Sequence, residues 1–261
     1  MRKPDDEFIP LRDNFMFDSV FTEEHFFRGL FRAILPEVTV GELEQFAAIP
    51  FSHGYEAHPD VYGEDETQAM AVELEADISE FLIRWNGFYR LNIDKSLSHK
   101  AKRWEEMKDL RMIFIALSDM LGAGRMVYKI GTMLEHTDKM MNDGVYMYYI
   151  NAAGEPTPDR PGLNAFCHYL LTGEPGEDAF VKEIHEEVLR LNRSKEWRET
   201  RRTMFNYVIN EVHKGREEER AENMRRLFRY FIRKGMNDAD ACQEIAGVFG
   251  LSVDEVKTAV S

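Results

Sequence analysis

The sequence predicts an α/β fold, in which a mixed sheet is flanked by helices and followed by a helical C-terminal extension. Strand-like apolar runs occur up to about residue 152, interleaved with two longer stretches of helical periodicity. From Pro161 onward the chain has helical character throughout, including a highly charged part at 177–234. Strands mixed with helices, and then helices alone, are typical of a layered α/β domain with a helical appendage.

Length and composition bound the organisation of the chain. Its 261 residues exceed the ~100–200 of one ordinary domain. We expect a core at 8–152, a helical extension at 161–234 and a small terminal motif at 235–261. Two cysteines, Cys167 and Cys242, argue against a disulfide framework or a zinc cluster.

The sequence also predicts a cytoplasmic protein with no membrane partner. The first residues are charged and lack the apolar stretch of a signal peptide. The longest apolar runs, such as 113–117, are far too short to cross a bilayer.

The first element is predicted as one amphipathic helix over residues 14–34. It carries six phenylalanines, mostly at helical spacing, and Pro36 follows its end. A first strand is expected within 38–51. A second helix is predicted over 78–103, and its last part gathers several basic residues, among them Lys95, Lys100 and Lys102.

Between these helices, residues 58–76 predict a β-hairpin. Met70, Val72 and Leu74 alternate with more polar positions, as in a strand with one face on a core. Folding the segment about residues 66–67 pairs positions that sum to 133, which brings Asp60 opposite Glu73.

The pairing of Asp60 with Glu73 favours a metal site. Directly paired side chains in a hairpin have Cβ atoms about 4.5–5.5 Å apart, and two carboxylates that close repel unless a cation lies between them. A hard divalent cation, which prefers oxygen ligands, is the usual one. The alternative is that Glu73 and Glu75 are ordinary polar residues on a solvated strand face.

Three further strands are predicted at 111–117, 125–130 and 145–150. The first is almost wholly apolar, as expected for a strand buried on both faces. Gly122 and Gly124 indicate a turn between the first two.

The net charge of the chain and the local charge at 214–234 favour different interactions. The formal net charge of −14 discourages non-specific binding to nucleic acid, because the phosphate backbone is repelled. Residues 214–234 hold eight Lys or Arg against four Glu, which suits either a nucleic-acid backbone or a solvated, dimer-forming face. Leu227, Phe228 and Phe231 form its apolar side and lead us to expect a homodimer.

The last segment has the shape of a helix-turn-helix, with Ser252 placed to cap the second helix. That helix opens with Val253, Asp254 and Glu255, and acidic residues are unsuited to reading bases in the major groove. The segment is therefore predicted to be a packing or self-association module.

Four stretches together resemble one known family. They are, in order, IPLRDNFMFDSVF, PDVYGEDETQAMAVELE, RWNGFYRLNID and IRKGMNDADACQEIAGVFGLSVDEVKTAV. They are similar to the recombination-promoting nuclease / putative transposase family of the PD-(D/E)XK nuclease superfamily, and they touch most of the chain.

The resemblance implies a restriction-endonuclease-like core with the order helix-β-β-β-helix-β. It implies a metal-dependent DNA endonuclease that hydrolyses phosphodiesters with Mg²⁺ or Mn²⁺. Carried over to this chain, the metal ligands are Asp60, Glu73 and the main-chain carbonyl of Leu74.

Glu75 departs from that family pattern, because the superfamily has a lysine at this position and the family often has glutamine. A glutamate cannot supply positive charge to the substrate phosphate. Glu75 could be a further ligand or a general base. Alternatively, Lys95, Lys100 or Lys102 could reach in from the end of the second helix. The alternative is a catalytically degenerate nuclease fold that acts as an interaction or nucleic-acid-binding module.

Overall fold

The computed structural model describes residues 8–48, 59–75, 82–137, 139–233, 236–249 and 251–260. Within its helices, the side chains of residues 82–86, 88–89 and 206–219 are not described. The chain forms two compact units, Met1–Lys195 and Glu196–Ser261.

The first unit is built on a six-stranded mixed sheet, as the sequence predicts. The strands lie in the order β1-β2-β3-β4-β6-β5. The β1, β2 and β3 strands form an antiparallel meander, β3, β4 and β6 are mutually parallel, and β5 runs antiparallel to β6. Their bounds are Gln45–Ala48, Val61–Glu64, Gln68–Glu75, Asp109–Ala116, Val127–Ile130 and Val145–Asn151 for β1 to β6.

The β2–β3 hairpin has the register that the sequence predicts. Val61 pairs with Val72 and Glu64 with Ala69, so each pair sums to 133. Asp65 sets the turn, because its Oδ1 accepts hydrogen bonds from the backbone N–H groups of Thr67 and Gln68 at 2.8 and 2.9 Å. Side-chain acceptance of this kind stabilises a tight turn and thereby the register.

The expectation that β3 buries only one face is wrong over most of its length. Residues from Gln68 to Val72 are buried on both faces, and only Glu73 and Glu75 are half-buried. The second face is covered by helix α3 (Leu82–Lys100), whose Ile93 and Leu97 pack on it. The strand is central in the sheet, and central strands lose their alternation when both faces are covered.

The helix predicted over 14–34 is in fact two helices, α1 (Asn14–Phe21) and α2 (Glu24–Ile34). Glu23 adopts an extended backbone with ψ 121°, which ends one helix before the next begins. Phenylalanines of both helices are nevertheless buried, and Phe27 of α2 lies over β1, with its ring 5.4 Å from that of Phe46. The aromatic spacing predicts the buried face but does not reveal the break.

Two further helices, α4 (Pro161–Thr172) and α5 (Ala179–Arg193), pack in the first unit. The Phe166 ring of α4 lies 6.3 Å from that of Phe21 in α1. Asn192 of α5 exchanges two hydrogen bonds with the backbone of Ile9, at 2.8 and 2.9 Å. The segment 161–195 therefore belongs with the α/β part, and the compact units do not divide at residue 161, where we placed the start of the extension.

The second unit contains α6 (Lys195–Arg233), α7 (Asp238–Phe249) and α8 (Val253–Val260), with α6 beginning at its boundary. Its small core consists of Met224, Cys242, Ile245, Ala246 and Val256. Leu227, Phe228 and Phe231 pack against that core within the same chain. They therefore give no ground for the homodimer that we expected from them.

Three arginines of α6 form ion pairs with one glutamate of the same helix. Arg225, Arg226 and Arg229 approach Glu222 at 3.4, 3.3 and 3.0 Å. This arrangement favours the solvated-face interpretation of the charge pattern. Ser252 caps α8 as predicted, because its Oγ accepts from the Glu255 N–H at 3.3 Å while its own N–H donates to Glu255 Oε2 at 2.8 Å.

Candidate functional site

The candidate site lies where the β2–β3 hairpin opens, at the carboxyl end of β3. Asp60 immediately precedes β2, and the hairpin register extends to place it opposite Glu73. Each acidic side chain bonds to the backbone of the other strand. The Leu74 N–H donates to Asp60 Oδ2 at 2.7 Å, and the Asp60 N–H donates to Glu73 Oε2 at 3.0 Å.

A hydrogen bond joins helix α1 to the carboxyl end of β3. The Asn14 side-chain amide donates to the carbonyl oxygen of Leu74 at 3.3 Å. Asp18 follows Asn14 by four residues, and positions i and i+4 lie on the same face of a helix. Asp18 is only 3% exposed, and the field of Asp60 acts on its carboxyl group. The structure thus adds Asp18 to the acidic residues named from the sequence.

Burial raises the pKa of every carboxyl group in this acidic cluster, which consists of Asp18, Asp60, Glu73 and Glu75. Repulsion by neighbouring carboxylates adds to this effect for Asp18, Glu73 and Glu75. Burial is the main cause for Glu73, followed by the charge of Asp60. Burial also raises the pKa of Asp60, against the opposing hydrogen bond from Leu74. The same two causes, burial and the charge of Asp60, raise the pKa of Glu75 to about 7.

Three of the four acidic side chains lack an ion-pair partner within the described residues. There, neither Asp18 nor Asp60 nor Glu75 forms an ion pair with a lysine or arginine. Buried charges are normally paired or bound to a cation, because an isolated ion is costly to remove from water. Within the described residues, the carboxyl groups of Asp18, Asp60 and Glu75 are therefore poised either to be protonated or to hold a cation.

The structure does not bring Lys100 to this cluster. Its Nζ lies 2.7 Å from Glu64 Oε2 and 3.0 Å from Gln45 Oε1. Glu64 is four residues from Asp60 along an extended segment, or about 13 Å at ~3.3 Å per residue. Helix α3 starts after the carboxyl end of β3 and returns the chain to the amino end of β4, so its last residues lie at the opposite end of the sheet.

Lys100 has a structural partner at that opposite end. Glu64 is 4% exposed and accepts hydrogen bonds from Lys100 and from the Tyr62 hydroxyl, at 2.7 and 2.8 Å, while Lys108 lies 3.1 Å away. Burial alone would raise the pKa of Glu64, but these partners hold it below its ordinary value. Lys102 is exposed just beyond α3, which ends at Lys100.

Sequence reasoning found Asp60, Glu73 and Glu75 but missed Asp18. A signal was present, because Asp18 is the one acidic residue between Asn14 and Phe21, in a helix otherwise rich in phenylalanine. An acidic side chain at the centre of so apolar a helix must either be in contact with solvent or have a specific role. Because Asp18 is far from the hairpin along the chain, the sequence does not indicate that the two lie close together.

The described residues do not form a ready-made metal cage. Across the described ranges, no three His, Cys, Asp or Glu side chains converge closely enough to form a metal-ligand group.

Of the helices that the structure describes, none has the length and hydropathy needed to cross a bilayer. Comparison with models of protein families, with curated proteins and with solved structures found no match to this chain.

Proposed function

We propose that this protein is a metal-dependent DNA endonuclease that hydrolyses phosphodiesters, of the recombination-promoting, transposase-like PD-(D/E)XK kind. The observation that carries the proposal is the opposed pair Asp60 and Glu73 at the open end of a central hairpin, with further buried carboxyl groups beside it. The order of the elements, with helices before β1 and α3 between β3 and β4, agrees with the helix-β-β-β-helix-β order that the family resemblance implies. The choice of DNA rests on that resemblance alone.

The residues fit a hard divalent cation such as Mg²⁺ or Mn²⁺. Mg²⁺ is usually held by one or two protein carboxylates, with waters and substrate phosphates completing its ligands. An opposed pair therefore suffices, and the lack of a three-residue cage among the described residues does not count against it. Asp18 Oδ1 has no hydrogen-bond partner among the described residues, and burial raises the pKa of Asp18 and Glu73; both observations support a cation at this cluster.

In this proposal Asp60 and Glu73 hold the cation, and the backbone N–H groups of Leu74 and Asp60 fix the orientation of the two carboxylates. The Leu74 carbonyl already accepts from Asn14, and its second lone pair is available to the cation. A bound cation supplies Lewis acidity toward the phosphoryl oxygen and lowers the pKa of water. Asn14 keeps α1 close to the site.

A plasmid-nicking assay with Mg²⁺ or Mn²⁺ tests the proposal. The parent chain should nick, and Asp60→Asn and Glu73→Gln should each lower the rate by about 10²–10³, the usual cost of losing one preorganised active-site contact. Both substitutions keep the shape of the side chain. Glu66→Gln is the matched control, because it makes the same charge change at an exposed turn position. A folded parent chain that nicks with neither metal would contradict the proposal.

A second candidate is an interaction module that keeps a nuclease-like shape without catalysis. Glu75 favours it, because this position supplies no positive charge, and Lys100 is engaged with Glu64 at the other end of β2. This candidate predicts no nicking by the parent chain and no change in partner binding when Glu73 becomes glutamine. The assay above separates the two.

A further inference from the structure

Two cationic side chains approach one tyrosine ring on the strands β4, β6 and β5. Strand β6 lies between β4 and β5, and its Tyr146 pairs directly with Arg111 of β4. The Arg111 Cζ atom lies 4.8 Å from the centre of the Tyr146 ring, and the Lys129 Nζ atom of β5 lies 5.1 Å from the same centre. The two charges are therefore within about 10 Å of each other and repel.

The guanidinium group of Arg111 retains unused donors. Its side chain is 16% exposed, and its Nε and Nη1 atoms are buried with no hydrogen-bond partner among the described residues. The Nη2 atom donates to Asp109 Oδ2 at the long distance of 3.4 Å. A guanidinium group stays charged in proteins, and leaving a buried donor unsatisfied costs about 1–3 kcal/mol. An oxyanion would remove this cost, because arginine binds carboxylate and phosphate oxygens through pairs of N–H groups.

The surroundings of Lys129 leave its charge without a close carboxylate. Lys129 is exposed, and none of the lysine ion pairs in the described part of the chain includes it. Glu37 lies in the field of Lys129 but accepts a hydrogen bond from Arg160 Nη2 at 3.1 Å. Tyr148, which pairs with Lys129 between β6 and β5, is buried, and the charges of Arg111 and Arg160 act on its hydroxyl group.

The basic patch, which consists of Arg111, Lys129, Tyr146 and Tyr148, is separate from the acidic cluster. Arg111 pairs with Met70 of β3, and Glu73 lies three residues further along that strand, a distance of about 10 Å. Residues an odd number of positions apart point to opposite faces of a sheet, so Glu73 and Arg111 lie on different faces. The donors of Arg111 therefore do not balance the buried carboxylates and are available to another ligand.

We propose that the basic patch binds the phosphate group of a small molecule, either inorganic phosphate or a phosphate monoester, with Arg111 and Lys129 donating to its oxygens and Tyr148 as a further donor. A phosphate monoester carries a charge of about −1.5 to −2 at neutral pH, which balances two cations, whereas a carboxylate carries a single charge. Because Nε and Nη1 of Arg111 are covered, the Arg111 head group turns outward as the anion enters. This site is independent of the proposed metal site.

The test is calorimetry of the full chain with inorganic phosphate and, separately, with adenosine monophosphate, at low salt and without divalent metal. The parent should bind with a Kd below about 1 mM. Arg111→Gln and Lys129→Gln should each weaken binding about 10–100-fold, the usual worth of a hydrogen bond to a charged group. Lys182→Gln is the matched control, because it makes the same charge change at an exposed position of α5, and it should change the affinity by less than about twofold.

The outcomes distinguish the two sources of the phosphate group. Equal affinity for both ligands identifies the phosphate group alone as what is bound, and tighter binding of adenosine monophosphate that is lost in Tyr146→Leu identifies a nucleotide whose base contacts that ring. A parent that binds neither ligand, or an equal loss in Lys182→Gln and Lys129→Gln, overturns the proposal.

Two further results would also decide against the basic patch as a small-molecule site. Should Arg111→Gln not fold, Lys129→Gln decides alone, since its position is exposed, and an unchanged affinity overturns the proposal. A DNA duplex without terminal phosphates that displaces inorganic phosphate from the parent would make the nucleic-acid backbone the ligand instead.

Discussion

Replacing Asp18 with asparagine is expected to stabilise the metal-free protein near neutral pH, although it removes a carboxylate from the candidate site. Burial, reinforced by the charges of Asp60 and Asp13, raises the pKa of Asp18 from 3.8 to about 9. In the unfolded chain the same group ionises near its ordinary value. The folded protein must therefore either keep a proton on Asp18 or bury its charge.

The sign of the pH dependence follows from proton binding. Above about pH 4 the folded state binds more protons than the unfolded state, so stability falls as pH rises toward the folded pKa. One group contributes at most about 1.4 kcal/mol per pH unit, or about 4 kcal/mol between pH 5 and pH 8. Because the neighbouring carboxyl groups share protons, we expect a smaller effect, of about 1–2 kcal/mol.

Thermal unfolding at several pH values measures this effect. At pH 8 without metal, Asp18→Asn should melt about 2–8 °C above the parent, since 1 kcal/mol shifts Tm by about 2–4 °C at this chain length. The difference should shrink toward pH 5, and Glu66→Gln should show neither effect. Saturating Mn²⁺ should raise the Tm of the parent more than that of the variant. An Asp18→Asn variant that is destabilised at pH 8, or a difference that does not change with pH, would refute this account of the acidic cluster.

Three further substitutions test particular contacts. Glu75→Lys should raise the nicking rate about tenfold or more by adding the missing positive charge, and an unchanged rate would argue against a catalytic position there. Lys100→Ala should leave nicking unchanged but lower the free energy of unfolding by about 1 kcal/mol, because it removes one partner of buried Glu64. A large loss of nicking rate in the folded variant would contradict this structural role. Gly63→Ala should destabilise by about 1–3 kcal/mol in denaturant unfolding, because its new Cβ would lie 2.5 Å from the Phe27 ring, and a neutral effect would show that this ring moves freely.

Local patterns predict those parts of the fold in which neighbouring residues determine the geometry. The β2–β3 register follows from the positions of the turn and of the alternating residues, because hairpin register depends on the turn that joins the strands. For the same reason the pairing of Asp60 with Glu73 can be proposed from the sequence alone. The break at Glu23 could not be, since the phenylalanine spacing continues across it.

The amino-acid sequence by itself thus determines the hairpin, its acidic pair, the mixed α/β class and the cap at Ser252, all of which depend on residues close together in the chain. The tertiary structure alone decides that Asp18 joins the acidic cluster, that Lys100 lies with Glu64 at the opposite end of the sheet, and that Phe228 packs within its own chain. Each of these depends on how a helix is placed against another element. Periodicity identifies which face of a helix is apolar, but the partner of that face is selected by packing and chain connectivity across long separations.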